Sequence, residues 1–407
     1  MTILVTGGDG YIGWPTALRI ADRTDERVIS VDNYGRRRWV EEIGSQSAVP
    51  ITTPEERVVA ASDQLGITNL SFVRGDLVDR SFVDELLSIH EPETIVHVAA
   101  QPSAPYSQIN GDRANYTQHN NLQSTRNLLW GLKEHGMTDT HFIETTTTGV
   151  YGAPDFPIPE GGATMENEGK RDEVPFPAMA GSWYHLTKSH DAANLRLAHK
   201  QFGVPISDVR TAIIYGTETE ETRASDALKT RFDFDYYFGT VVHRFCAQAA
   251  AGYPLTVYGK GEQRKPFASL EDTVEGLARL ALADSADRSD DFAVYNQVTR
   301  AISIVEIAET IDSVAAEFDF DTSVEHFENP REEDETHAME IENDRYMSLI
   351  GDQRQTFEEG VRDVLETLAR HSDRIESHED RFVPDVLLSD GTAEANGESD
   401  SVPAESD

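Results

Sequence analysis

The stretch Thr-Gly-Gly-Asp-Gly-Tyr-Ile-Gly at residues 6–13 restricts the possible folds of this chain more than any other. A short apolar run, residues 3–5, leads into it and reads as a buried strand, and residues 14–21 lead out as a helix. Gly7, Gly10 and Gly13 stand three residues apart. At a strand–turn–helix junction such glycines make the tight turn, let the backbone approach a pyrophosphate and let helix and strand pack closely. The phosphates then face backbone N–H groups and the positive end of the helix dipole. A second apolar run, residues 28–31, ends in Asp32 and Asn33, where an acid can bind the ribose hydroxyls of NAD. Glycines alone would suit any tight loop. The strand before them, the helix after them and the acid beyond favour a dinucleotide site built on Gly7, Gly10, Tyr11, Ile12, Gly13, Asp32 and Asn33.

The alternation then continues. Residues 70–73 read as a strand followed by Asp76 and Leu77, with Asp76 placed to reach an adenine amine. Residues 82–89 read as a helix, 94–98 as a strand running on to Ala100 and Gln101, and 114–135 as a helix carrying Asn120 and Asn121. A ligand role and a bond to a neighbouring strand are equally open for these two amides; His119 beside them reads as a satisfied histidine. Residues 141–145 form a strand ending in a run of threonines that includes Thr147, 208–214 form another, and 235–251 read as a helix holding Arg244. Short joints between strands and helices predict an α/β fold, a doubly wound parallel sheet. The expected division is a dinucleotide-binding domain at 1–215, a smaller lobe at 216–385 with segments returning to the first domain, and a disordered acidic tail at 386–407.

Two stretches interrupt the alternation. Residues 33–70 form an excursion holding Arg36, Arg37 and Arg38, a basic cluster in an acidic chain. Asp32 argues against a 2′-phosphate of NADP there, which leaves a contact to the cofactor pyrophosphate or a nucleotide sugar, or a solvated loop. Residues 154–177 read as a loop over the site. Beyond that loop, Tyr184 and Lys188 stand four apart, on one helical face. A lysine one turn from a tyrosine lowers the phenol pKa, so that the phenolate can act as a base near neutral pH. Tyr-x-x-x-Lys is common by chance. After a dinucleotide turn and a hydroxyl-rich strand end, it is informative.

Composition excludes several function classes. The 407 residues include 73 acidic and 35 basic side chains, a formal net charge of -38, so nucleic acid phosphates would be repelled. The acids are dispersed, which suits a hydrated surface in concentrated salt better than a single docking face. Cys246 is the one cysteine, which rules out an intrachain disulfide or a thiolate metal cluster, and it reads as a small core residue. No metal site, no membrane span and no signal peptide are expected, and the expected location is the cytoplasm.

The whole arrangement resembles the extended short-chain dehydrogenase/reductase family of nucleotide-sugar enzymes, and within it the UDP-sulfoquinovose synthases. The stretches that carry the resemblance are Gly-Gly-Asp-Gly-Tyr (7–11), Ser-Ala-Pro-Tyr-Ser (103–107), Tyr-Thr-Gln-His-Asn-Asn (116–121), Tyr-His-Leu-Thr-Lys (184–188), Phe-Gly-Thr (238–240), Pro-Leu-Thr-Val-Tyr-Gly-Lys-Gly (254–261) and Asn-Pro-Arg (329–331). The resemblance implies a Rossmann-type domain with NAD, held also by Arg36, Asp76, Leu77, Ala100, Asn120, Tyr184 and Lys188. It implies a catalytic trio of Thr147, Tyr184 and Lys188, with Thr147 also touching the substrate, and His185 beside the base. It implies Arg244, Val257, Lys265 and Arg331 around the uridine diphosphate, Gln101 at the sugar, a UDP-sugar and sulfite as substrates, and a homodimer through the helices at 114–135 and 184–200. Three positions depart from the pattern. Pro102 stands where an arginine is expected, Thr211 where a glutamine is expected, and Lys265 where an arginine is expected, with Arg264 adjacent as a substitute. A nucleotide-sugar 4-epimerase or 4,6-dehydratase would use the same trio. The dehydratases carry an Asp-Glu pair directly after the catalytic threonine, where this chain has Thr148 and Gly149. A non-catalytic NAD-sensing protein would have no use for an intact Tyr–Lys pair.

Overall fold

Every residue of the first strand, β1 (Thr2–Thr6), is buried. A strand covered on both faces must be apolar throughout, and this one splits its side chains between two cores. Ile3 and Val5 pack with Trp14, Leu18 and Leu277 on one face, while Leu4 packs with Leu87, Leu128 and Phe142 on the other. The structure, a computed structural model, describes residues 1–384 apart from 153, 155, 177–178, 285–290 and 328–338. The sequence-predicted tail and Arg331 lie outside the described residues.

Six further strands join β1: β2 (Arg27–Asp32), β3 (Leu70–Arg74), β4 (Thr94–His97), β5 (His141–Thr147), β6 (Ile206–Thr211) and β7 (Phe292–Gln297). They form one sheet in the order β7-β6-β5-β4-β1-β2-β3, parallel at every step. The chain moves outward from β1 in both directions, so the strand order reverses between β1 and β4. Ligands bind at the carboxyl ends of the strands beside such a switch. This is the α/β, doubly wound Rossmann-type sheet expected from the sequence.

A smaller C-terminal lobe packs the helices Val241–Ala250, Ile304–Ala315 and Phe357–Ala369 around Phe245, Ile307, Ile311, Val361 and Leu365. Cys246 is fully buried there. The helix Leu270–Leu282 returns to the sheet and is held there by a buried ion cluster. Arg19, on the helix after the glycine turn, has no exposed surface and pairs with Glu221, Glu271 and Glu275.

Four sequence expectations need correction. Residues 208–214 are not one strand, because the chain leaves the sheet at Ala212 and Ile213–Tyr215 pairs with Arg264–Ser269 instead. The excursion at 33–70 holds two helices, Gly35–Glu42 and Pro54–Leu65. The second has a legible start, with Pro54 in its first turn and a Thr53–Glu56 capping box. The 154–177 loop contains an antiparallel hairpin, Gly162–Asn167 with Lys170–Pro175. Its strands are so exposed and polar that no alternation announces them. The helix expected from Asp235 begins only at Val241, because Asp235 Oδ1 accepts the N–H groups of Tyr237 and Phe238 in a turn and Thr240 takes the cap.

Candidate active site

A cavity of about 480 Å³ opens at the carboxyl ends of the strands, at the reversal of strand order. Gly7, Gly10, Tyr11, Ile12 and Gly13 form one wall. Gly7 has φ +76°, and a Cβ there would lie 2.9 Å from the Ala99 backbone nitrogen. A Cβ on Gly13 would lie 2.1 Å from the Gly7 carbonyl oxygen. The turn and its helix are therefore as close as backbone can come, and any side chain there would fill a phosphate cradle. Asp32, Asn33, Arg36, Asp76, Leu77, Ala100 and Asn120 also line the cavity.

Asp32 is oriented by two backbone bonds. Its Oδ2 accepts from Asp9 N at 3.0 Å and its Oδ1 from Tyr34 N at 2.7 Å. Each oxygen keeps a second lone pair, the requirement for holding two ribose hydroxyls. Burial and the neighbouring Asp9 charge push the Asp32 pKa up to about 6, against those two hydrogen bonds and Arg231. Hydroxyl donors favour the ionised form, so NAD affinity should be complete above that value. It should fall, by at most about tenfold per pH unit, as a proton takes the site below it. Calorimetric titration would show this, whereas an affinity that stays flat down to about pH 5 would contradict it.

The three arginines of the excursion do different things. Arg37 is held by Asp9 at 2.6 and 2.7 Å, and Arg38 by the Asn33 carbonyl. Arg36 alone reaches the cavity, where it pairs with Asp233 at 2.7 Å and lies 4.3 Å over the Phe238 ring.

Thr147, Tyr184, His185 and Lys188 line the same cavity. The Trp183–Phe202 helix sets the last three, and its start is fixed by the Ser182 cap on His185 N. Thr147, at the end of β5, accepts from Gly149 N at 3.1 Å and bonds the Thr211 carbonyl. Gly149 matters sterically, since a Cβ there would lie 2.4 Å from the His185 ring. The glycine lets His185 lie directly on the turn that follows Thr147. Lys188 pulls the Tyr184 phenol pKa down, as its spacing predicted, but burial outweighs it and holds the phenol above the ordinary tyrosine range.

On the substrate side, Arg244, Lys265 and the departures Pro102 and Thr211 line the cavity. Three expected residues are placed elsewhere or lie outside description. Gln101 is fully buried, its amide folded back on the Ser103 backbone, while Asn121 holds the Gln101 backbone N–H and carbonyl. Of the two amides at 120–121, Asn121 is thus structural and Asn120 faces the cavity. Val257 is in the lobe core, while its neighbours Thr256 and Tyr258 reach the wall, as strand alternation requires. Arg331 lies outside the described residues. Arg264 does not substitute for Lys265, because it points to Glu306 and the Ala301 carbonyl.

Sequence reasoning missed the aromatic wall of Trp39, Tyr236, Tyr237 and Phe238. It also missed Glu144, an acid inside a buried central strand with no exposed surface. A charge in the middle of an otherwise apolar and hydroxyl run was the available signal.

Residues 3–296 match the model of the NAD dependent epimerase/dehydratase family. A UDP-sulfoquinovose synthase of Sulfolobus acidocaldarius is 39% identical over 386 residues, covering 94% of this chain and 96% of that protein. The chloroplastic UDP-sulfoquinovose synthase of Spinacia oleracea is 36% identical over 92% of this chain and 77% of its own length. Among solved structures, UDP-glucose 4-epimerase of Thermotoga maritima with UDP-glucose superposes with a TM-score of 0.67 at 19% identity, covering 91% of this chain and 99% of its own. UDP-glucuronic acid 4-epimerase of Bacillus cereus, solved with UDP-glucuronic acid and NAD, gives 0.66 at 20% identity with the same coverage. The chain is an enzyme with NAD as its cofactor, and it belongs to the NAD-dependent epimerase/dehydratase family, among the relatives of the UDP-sulfoquinovose synthases.

Proposed function

We propose that this enzyme converts UDP-glucose and sulfite to UDP-sulfoquinovose. The observation that carries the reading is that Thr147, Tyr184, His185 and Lys188 line one cavity with the glycine turn, in a chain 39% identical to a UDP-sulfoquinovose synthase. The glycine turn, Asp32, Asp76 and Asn120 hold NAD, which supplies a hydride acceptor at the sugar's C4 and later returns the hydride. Thr147 orients the C4 hydroxyl and Tyr184 takes its proton. A ketone at C4 acidifies the C5–H bond. His185 takes that proton and passes it to the C6 hydroxyl, which leaves as water. Bisulfite then adds through sulfur to C6 of the enone, its proton reaches C5 by way of His185, and Tyr184 returns its proton to O4 as the hydride returns to C4. Arg244 and Lys265 bind the diphosphate, a lysine giving a point charge where a guanidinium would give a fork.

Under this reading residues 1–215 hold the cofactor and 216–385 hold most of the nucleotide sugar. The net charge of -38 supports work in concentrated salt, in the cytoplasm. The packed helices Gly111–Glu134 and Trp183–Phe202 leave Trp130 and Leu197 about half exposed, which supports a homodimer through them. Among the described residues no helix is long and apolar enough to cross a membrane. A 4,6-dehydratase is disfavoured by the turn after Thr147. Thr148 is buried against the Thr211 carbonyl and Gly149 lies under His185, so neither supplies a carboxylate.

Deuterium at C4 of UDP-glucose tests the proposed cycle. The label should reappear at C4 of the product, because the hydride leaves and returns at one carbon. Deuterium found at C6, as a 4,6-dehydratase would place it, would rule the cycle out.

A further inference from the structure

A second polar cluster lies beneath the catalytic wall, closed to solvent. Glu144 of β5 and Asp191 of the Trp183–Phe202 helix have no exposed surface, and Lys188 is 2% exposed. Lys188 Nζ donates to Glu144 Oε1 at 3.4 Å, and Thr125 Oγ1 lies 3.5 Å from the same oxygen. The Asp191 charge raises the Glu144 pKa, the two carboxyls are close enough to bond if one is protonated, and ionised carboxylates have no proton to donate. Glu144 Oε2 and Asp191 Oδ2 meet no donor among the described residues. Asp191 Oδ1 receives Asn194 Nδ2 at 3.5 Å.

The surrounding elements do not supply a second positive charge. Asp208 of β6 adds negative potential and is itself paired with Arg210 at 3.2 Å. His97 of β4 lies 2.8 Å from Thr6 Oγ1 and 3.3 Å from Thr125 Oγ1, and burial together with Lys188 lowers its pKa to about 3, so it is neutral. One ammonium therefore faces two carboxylates where water does not reach. A single proton between the acids provides the missing donor and leaves one negative charge to balance Lys188.

We propose that Glu144 and Asp191 share one proton beneath Lys188, and that this acid pair is a positioning element that sets the charge around the Tyr184 phenol. The proposal rests on the reading of Tyr184 as the base. Tyr184 faces Lys188 and Arg36, which favour its phenolate, and Asp191 and Glu144, which oppose it. Two ionised acids would cancel Lys188 and leave a surplus of negative charge that holds the phenol neutral. With the proton shared, Lys188 is balanced and no surplus opposes the base. The proton cannot be assigned to either residue alone, since the pair titrates as a unit.

The test is the ionisation of Tyr184 in NAD-loaded protein, read as tyrosinate absorbance relative to Tyr184→Phe in each background. It needs no sugar, so its result is independent of which reaction the enzyme performs. Glu144→Gln and Asp191→Asn should each move the midpoint by less than about 0.3 pH unit, because the remaining acid gives up the shared proton and carries the same charge. The double variant removes the last negative charge and should lower the midpoint by about one unit or more. That non-additivity marks a shared proton. Infrared spectra should show a protonated-carboxyl C=O stretch in the wild type that both single variants lack. Two single variants that each lower the midpoint by about half the double-variant shift would mean two independent ionised acids. A double variant that leaves the midpoint in place would mean a packing role. A wild type without the C=O stretch would overturn the proposal even if the double variant fails to fold.

Discussion

Replacing Tyr184 by phenylalanine is expected to lower kcat by about 10²–10⁴-fold, the range of a lost general base, with little change in KM. The ring stays in place, packed beside His185 with centroids 5.2 Å apart, and the backbone N–H of residue 184 keeps its bond to Ser107 Oγ. What disappears is the hydroxyl proposed to take the proton from the sugar's C4 hydroxyl while Thr147 holds it. NAD should still bind, because Asp32, Asp76 and the glycine turn keep their side chains. A variant that kept more than a tenth of wild-type turnover would show that His185 or water does this work and would remove Tyr184 from the role.

The largest effect on stability is expected at Arg19. Its guanidinium is fully buried, 2.7 Å from Glu221, 2.6 Å from Glu271 and 3.5 Å from Glu275. Arg19→Met keeps the apolar stem and removes the charge that these carboxylates share. Glu275 retains Arg23, Arg279 and Arg354, but the buried Glu221 and the partly exposed Glu271 are left near one another without their cation. Breaking a buried ion pair by removing one partner costs about 3–5 kcal/mol. At about 2–4 °C per kcal/mol this lowers Tm by roughly 6–20 °C. The pH dependence follows in sign. Burial opposes ionisation of Glu221, but the hydrogen bond and charge of Arg19 outweigh it and hold its pKa below the ordinary glutamate range. A carboxylate whose pKa falls on folding stabilises the fold above its unfolded value near 4.3 and loses that contribution as pH drops through its folded value. The variant should therefore differ most from wild type near neutral pH and converge with it in acid. A melting curve shifted by less than about 2 °C would mean that the cluster contributes little.

Much of this was legible in the chain because a few residues have one physical use. Gly13 tolerates no side chain against the Gly7 carbonyl, Asp32 ends a strand beside the turn, and Tyr184 and Lys188 share a helical face. Local patterns announced the parallel sheet for the same reason, since strands covered on both sides are apolar runs. What could not be read was the partner each polar side chain takes, near or far in the chain. Asp235 starts a turn rather than a helix because its carboxylate captures nearby N–H groups, a competition that spacing does not reveal. Gln101 reads as a ligand residue, yet its amide is used within its own turn. Arg36 and Arg37 look alike in sequence. Their different partners, Asp233 from the second lobe and Asp9 from the glycine turn, exist only once the chain has folded.

The central claim is sulfonation at C6 of a nucleotide sugar, and product analysis tests it directly. Purified protein with NAD, UDP-glucose and sulfite in concentrated salt should yield a UDP-sugar carrying a C6 sulfonate by mass spectrometry, with none formed when sulfite is omitted. That result would also show that Pro102 and Thr211 are compatible with the reaction. Formation of UDP-galactose or a 4-keto-6-deoxy sugar, at a rate indifferent to sulfite, would contradict it and place the enzyme with the epimerases or dehydratases of its family.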